Sequence, residues 1–311
     1  MKHVVYIGKN PEYSSMYLVG KQISDAIASP LASKAADCKG ADLVVCCVVE
    51  DVGKLLEAKR FVGFKSLAVF FAPNAEEFSD TELCSLLVRV CTGEVAKVVV
   101  HSKHTYAKLE EIWLKFLSPK WFRDLQAKVS VCLWGVSSEF TFRTTGRDRY
   151  IWLAPFNRVN KTQKNLDLHA RLSYLVEAKG GETLFIFGGM TSGVEIPDVY
   201  KVVPQGTRED YLQIISEVGL SLCVSNFESF GIYYLELMSS GIPVLFLDKP
   251  WVRKLLPSYP LVFDLETLET LCVTFESQYP FFVSALTEYV SSEEFKRFEW
   301  GNVVSRIKEA L

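Results

Sequence analysis

The sequence predicts an α/β protein made of two Rossmann-like, doubly wound domains facing a cleft. Three observations carry that reading. Strand-like and helix-like segments alternate along almost the whole chain, which is the pattern of a parallel sheet wrapped by helices. Several strand candidates, such as 43–49, are unbroken apolar runs, as expected where both faces of a strand are covered. A polar stretch around 141–149 interrupts the alternation near the middle of 311 residues, a length suited to two domains of ordinary size.

The expected organisation is a first domain over 1–140, a linker over 141–149, a second domain over 150–285, and a C-terminal helical segment over 286–311 that packs back on the first domain. In the first domain, strands are expected over 4–7, 43–49, 67–71, 95–100 and 129–134. Helices fall between them over 13–27, 53–60, 80–90 and 106–116. The linker, with Arg143-Thr144-Thr145-Gly146-Arg147-Asp148-Arg149, has neither a helical nor a strand period. Alternation then restarts with strands over 150–154, 183–187, 200–203, 220–224 and 244–247. Helices are expected over 163–178, 208–218, 233–240 and 265–275, with two more helical segments after them. Ser291-Ser292-Glu293-Glu294 reads as a capping box, followed by Phe295, Phe298, Val303 and Ile307 on one helical face.

Composition narrows the class. Hydrophobic residues make up 49% of the chain, enough for substantial cores, and no apolar run reaches the ~18 residues of a spanning helix. Met1-Lys2-His3 leads straight into Val4, which leaves no room for a signal peptide and points to a cytoplasmic protein. A net charge of −3 implies no global attraction to nucleic acid or anionic membrane. Eight Cys and four His contain no Cys-x-x-Cys pair, which argues against a zinc site. Asn, Gln and Met are scarce, a feature of heat-adapted proteins, in which intracellular disulfides occur.

The most informative segment is Ser225-Asn226-Phe227-Glu228-Ser229-Phe230-Gly231-Ile232-Tyr233-Tyr234-Leu235-Glu236, followed by Gly241-Ile242-Pro243-Val244. It reads as strand, loop and helix start, and a helix N-terminus offers unpaired N–H groups to a phosphate. Glu228 stands before that terminus and Glu236 well inside the helix. Eight residues of helix span about 12 Å, near the length of a nucleoside diphosphate sugar. One carboxylate could then take a sugar's hydroxyls and the other a ribose diol. Two Glu at this spacing also occur as plain solvated helix residues.

The segment resembles the Glu-x7-Glu motif of the retaining GT-B glycosyltransferases of the "group 1" family, with matches at Ser225, Glu228, Phe230, Gly231, Glu236, Gly241, Pro243 and Val244. The stretch 235–244 also resembles the DNA α-glucosyltransferases of T-even phages, and 135–140 resembles the turn that closes the family's first domain. The resemblance implies a GT-B glycosyltransferase acting on a nucleoside diphosphate sugar, with retention, without metal (no Asp-x-Asp is present) and without another cofactor. It implies Glu228, Arg158 and Lys164 as catalytic residues: Glu228 supports the sugar and the two cations grip the diphosphate. Glu236 would hold the ribose. Phe230, Gly231, Ile232, Gly188 and Gln205 would complete the donor site. The family's Arg-to-Lys spacing is one shorter than that from Arg158 to Lys164, so Lys161 rivals Lys164. Two cations at a strand-to-helix junction suit a diphosphate, and Arg binds it bidentately.

On the acceptor side the candidates are Lys9, Asn10, Asn74 and His101. The chain lacks the family's Gly-Gly after the first strand, and its His in the 72–77 loop. The acceptor itself, whether saccharide, protein, lipid or modified DNA, is not named by the sequence. Between Lys97 and Lys128, seven Lys or Arg face three acids, with Trp113, Phe116, Trp121 and Phe122 interleaved. Such a segment suits a membrane surface or nucleic acid, or simply buries its aromatics in the domain core. A viral or thermophilic origin fits the phage resemblance and the composition. The rival readings are a non-catalytic GT-B-like protein that binds a nucleotide or partner, and a sugar-nucleotide epimerase.

Overall fold

A computed structural model describes residues 1–10, 15–71, 79–154, 161–187, 195–204, 207–228 and 231–311. The chain divides into two compact units. One comprises Met1–Trp134 with Trp300–Leu311, the other Gly135–Glu299.

The first unit holds a six-stranded sheet in the order β2-β1-β3-β4-β5-β6. The strands are β1 (His3–Tyr6), β2 (Leu31–Ala32), β3 (Leu43–Cys46), β4 (Ser66–Phe71), β5 (Lys97–Val100) and β6 (Val129–Val131). All pairings are parallel. After their first residues β1, β3, β4 and β5 are buried throughout, as both-face coverage by helices requires. Those helices are α1 (Ser15–Ala26), α2 (Val52–Val62), α3 (Asp80–Cys91), α4 (Lys103–Phe116) and α5 (Pro119–Gln126). Ser79 starts α3 in a true capping box, its hydroxyl accepting from Glu82 N–H while Ser79 N–H donates to the Glu82 carboxylate at 2.8 Å. The β2 edge strand and α5 were not expected from the sequence. β2 is two residues long, and α5 is set by its Ser118 cap and Pro119 rather than by a long apolar period.

The second unit holds another all-parallel six-stranded sheet, in the order β12-β11-β10-β7-β8-β9. Its strands are β7 (Asp148–Ala154), β8 (Glu182–Phe187), β9 (Tyr200–Pro204), β10 (Val218–Cys223), β11 (Val244–Leu247) and β12 (Val262–Phe263). The helices are α6 (Lys161–Lys164), α7 (Leu166–Glu177), α8 (Arg208–Glu217), α9 (Ile232–Ser239), α10 (Pro250–Leu255), α11 (Leu265–Val290) and α12 (Glu293–Lys296).

Several boundaries differ from the sequence reading. The expected linker 141–149 belongs to the second unit: β7 already begins at Asp148, and the Arg147 guanidinium donates to the carbonyls of Arg143, Ile215, Val218 and Ser240. A polar composition hid a half-buried arginine that satisfies main-chain acceptors. One expected helix over 163–178 is two, because Asn165 at φ 53° breaks α6 from α7. The helix expected to end near Phe275 runs on through Pro280 to Val290. Ser291 is the C-cap of α11 and does not start α12. Ser292 does, and Glu294 turns away to accept from Tyr289 OH at 2.7 Å. The final apolar face is split between units: Phe295 and Phe298 belong to the second, while Val303 and Ile307 lie on α13 (Trp300–Ala310) in the first. There α13 packs with α1, and Arg306 donates to the Leu133 carbonyl at 3.2 Å. All eight cysteines stand as free thiols in this structure.

Candidate functional site

In the second unit β7 is the first strand. β8 and β9 extend the sheet on one side of it, and β10, β11 and β12 on the other. This is the Rossmann order, whose topological switch lies between β7 and β10. Loops leaving the carboxyl ends of two such strands diverge to opposite faces and open a crevice, where ligands bind. The side chains presented there are the ones to weigh first.

The loop after β10 and the junction of α6 with α7 are tied together. Asn226 N–H donates to the Gln163 carbonyl at 2.8 Å, and Asn165 Nδ2 to the Val224 carbonyl at 3.4 Å. Asn tolerates the left-handed backbone at 165, and this bend ends α6 just after Lys164. Lys164 Nζ then meets Glu228 symmetrically, at 2.6 Å from Oε1 and 2.7 Å from Oε2. Their side chains are only 15% and 9% exposed. Two candidates 64 residues apart in sequence are thus one ion pair at the switch point.

Side chains of α9 and α10 hold the chain just before Glu228. Trp251 Nε1 donates to the Ser225 carbonyl at 3.0 Å, and the Ser225 and Tyr234 hydroxyls are 3.4 Å apart. Gly231 precedes α9 with φ 64°, where a Cβ would also press on the Tyr234 ring at 3.3 Å and on Trp251 at 3.4 Å. Glycine is needed there for both reasons. α9 starts at Ile232 with no acid in its first turn, leaving the positive end of its dipole uncompensated by its own side chains.

Glu236 occupies a different setting from the one its motif implies. It is 0% exposed. Arg208, the first residue of α8, donates Nη2 to Oε1 at 2.6 Å and Nη1 to Oε2 at 3.4 Å. The same guanidinium donates Nε and Nη2 to Glu139 at 3.0 and 2.7 Å. It also lies over the Phe140 and Tyr211 rings, 4.9 and 5.0 Å from their centroids. Burial raises the Glu236 carboxyl above its ordinary range, and Arg208 works against that shift. Burial alone would lower the Arg208 guanidinium, but the Glu236 charge and hydrogen bond and the Glu139 hydrogen bond raise it. The sequence reading missed Arg208. The signal available was its place just after Thr207, at a strand-to-helix junction on the same edge of the sheet as Glu228.

Another buried group bonds the same layers together. His169 on α7 sits 2.8 Å from Tyr200 OH and 3.2 Å from the Leu222 carbonyl, and full burial pushes its pKa down to about 4. It joins α7, β9 and β10 as a neutral ring.

The remaining candidates fall as follows. Arg158, Gly188, Gln205, Phe230 and Asn74, and the side chain of Lys161, lie outside the described residues. Gly231 and Ile232 stand at the α9 start beside Glu228. In the first unit, Lys9 is exposed, and Asn10 Nδ2 turns back onto the Ile7 carbonyl at 2.6 Å. His101 is buried: its ring bonds the Phe71 carbonyl at 3.2 Å through Nδ1 and Thr105 Oγ1 at 3.3 Å through Nε2. That position suits a brace between β4 and α4 rather than contact with an acceptor.

No protein-family model matches the chain, and no curated protein matches it in sequence. Solved structures do match in fold. A crystal structure of Anabaena Alr3699/HepE in complex with UDP and glucose is 12% identical with TM-score 0.71, covering 99% of this chain and 98% of that one. WaaG, described as a glycosyltransferase involved in lipopolysaccharide biosynthesis, is 11% identical with TM-score 0.64, covering 98% and 99%. The lipopolysaccharide outer core galactosyltransferase WaaB is 14% identical with TM-score 0.57, covering 100% and 99%. With two all-parallel, doubly wound sheets and these neighbours, the chain has the α/β GT-B fold of glycosyltransferases.

Proposed function

We propose that this protein is a retaining glycosyltransferase that moves a sugar from a nucleoside diphosphate sugar without help from a metal ion. The observation that carries the reading is the Lys164–Glu228 pair at the β7/β10 switch point, beside the glycine-led start of α9. A cation, a carboxylate and a helix N-terminus together suit a donor whose diphosphate and sugar need opposite kinds of partner. HepE, which shares the fold over nearly the whole chain, has been solved with UDP-glucose, and the donor class is taken from there.

In this mechanism Lys164 neutralises charge on the leaving diphosphate, and the N–H groups at the start of α9 add to it. Such donors act most where charge grows in the transition state. Arg158 joins them by its resemblance to the Glu-x7-Glu family. Glu228 takes a hydroxyl of the transferred sugar and supports positive charge developing at its anomeric carbon. A donor phosphate oxygen assists deprotonation of the acceptor on the face from which the diphosphate leaves. Glu236 is assigned through Arg208: the carboxylate holds the guanidinium, and the guanidinium is the member of the pair that reaches the surface. A direct ribose contact would require that bidentate pair to open.

A thermal-shift screen against a panel of sugar nucleotides tests the reading, because a ligand stabilises by RT ln(1 + [L]/Kd). A shift with one sugar nucleotide, followed by slow release of its nucleoside diphosphate without acceptor, supports the enzyme. A shift without turnover toward any acceptor supports a binding protein. Conversion of the sugar nucleotide to its isomer identifies an epimerase.

A further inference from the structure

The basic aromatic segment of the first unit is resolved by the structure into two halves with different fates. Trp113 on α4 and Phe122 on α5 are 2% and 6% exposed and fill the domain core with Leu109 and Leu125. Core packing accounts for these two aromatics. It does not account for Phe116 and Trp121, which are 59% and 62% exposed, or for Leu114 at 47%. These three stand on one short corner, where α4 ends and α5 begins. Every residue of 114–121 except Leu117 is exposed. Lys115, Lys120 and Arg123 are set among them and are exposed too. Lys115 is shared with Glu111 at 3.6 Å, while Lys120 and Arg123 make no ion pair among the described residues.

We infer that this α4–α5 corner is a docking surface for an anionic lipid bilayer. Large apolar side chains are costly to hold in water, and clusters of them mark interaction sites. Trp and Phe favour the headgroup boundary, where an aromatic body enters the acyl region. Lys and Arg alongside them match anionic headgroups. The same corner suits nucleic acid less well. Three cations with Glu111 and Asp124 nearby leave a small positive surplus, and affinity for a polyphosphate depends on how many phosphates are neutralised. Leu114 adds apolar area that stacking on bases would not use. The inference concerns the first unit alone and stands whether or not the donor assignment in the second is correct.

The test is co-sedimentation of the full chain with phosphatidylcholine vesicles, with and without phosphatidylglycerol, at low and at physiological ionic strength. The wild type is expected to sediment with the anionic vesicles and to release as salt rises. In Phe116→Ser/Trp121→Ser, loss of two inserted side chains should weaken partition by about a hundredfold, at roughly tenfold for each. Lys120→Glu/Arg123→Glu should weaken it at least about tenfold at low salt. The second variant keeps every apolar residue and remains informative if the first misfolds. Melting temperature and nucleoside diphosphate binding should match wild type in both. Three results would overturn the inference. One is a wild type that ignores anionic vesicles at low salt. Another is vesicle binding untouched by either variant. The third is a DNA gel shift lost in the charge variant while vesicles stay unbound, which would assign the corner to nucleic acid.

Discussion

Replacing Glu228 by Gln should tighten the binding of a free nucleoside diphosphate. From sequence alone the opposite carboxylate has no bearing on the diphosphate, so affinity should stay as it is. The structure changes that expectation, because Lys164 Nζ is held at 2.6 and 2.7 Å by both oxygens of Glu228. At about 2.7 Å and an effective dielectric of 20, the gross attraction is about 6 kcal/mol. Most of it is offset by the cost of desolvating the two charges, so the net contribution is small. A diphosphate that recruits Lys164 must still compete with that carboxylate. Gln keeps a carbonyl acceptor but loses the charge, so Lys164 becomes free to turn to the phosphate. A gain of about 1.4 kcal/mol, or tenfold in Kd, is a reasonable scale. The same change should cost the fold about 2–3 kcal/mol, just below the 3–5 kcal/mol of deleting one partner of a buried pair. For a unit of this size that lowers Tm by about 4–12 °C. Calorimetry with UDP and a thermal melt measure both quantities, and donor turnover should fall steeply because the sugar loses its carboxylate. A Glu228→Gln protein that binds UDP no better than wild type, while wild type does bind it, would refute the competition. If neither protein binds any nucleoside diphosphate, the donor assignment itself fails.

Lys164→Ala should lower UDP affinity and turnover together. It should also destabilise the second unit by about 3–5 kcal/mol, because it leaves the Glu228 carboxylate without its cation; calorimetry and chemical denaturation read the two effects. Arg208→Ala strands the fully buried Glu236. Its carboxyl, already raised by burial, should rise further, so folded protein binds more protons than unfolded in the carboxylate range and above. The variant should therefore be most stable in mild acid and lose stability as pH rises through that raised value, a slope that urea melts at a series of pH values will show. His169 has the opposite sign. Its folded pKa is pushed down to about 4 from 6.5, so the unfolded chain binds the extra proton between those values. Stability should fall as pH drops from about 6.5 toward 4, by about 3 kcal/mol in all, and His169→Gln should lack that component.

The alternation of strands and helices was legible in the chain except for the short elements β2, α5, α10 and β12, and it fixes two parallel α/β units. The reason is local: buried parallel strands must be continuous apolar runs, and the covering helices must carry an apolar stripe. The loop after β10 was legible too, since a strand, a carboxylate, a left-handed glycine and a helix start leave a compact signature at 220–236. Elements held by a few polar contacts were not legible. Arg147 looked like linker because its composition is polar, yet its guanidinium satisfies carbonyls from three segments far apart in sequence. Asn165 looked like the interior of one helix, because nothing nearby reveals that its left-handed turn ties the α6–α7 junction to the β10 loop.

Which groups pair with which was decided only by tertiary structure. The sequence supplied Lys164, Glu228 and Glu236 as candidates, each with its own ligand. The strand order β9-β8-β7-β10-β11-β12 is what brings the end of β7 beside the end of β10 and so closes Lys164 onto Glu228. Likewise, the start of α8 reaches α9 only once β9 and β10 take their places at opposite sides of β7, and Arg208 then fills the partner role at Glu236. The same division holds at the α4–α5 corner. Sequence placed four aromatics among cations, but packing chose Trp113 and Phe122 for the core and left Phe116 and Trp121 in water. Local pattern carries the information about which element a residue builds. The partner of a charge depends on long-range topology, which no spacing along the chain encodes.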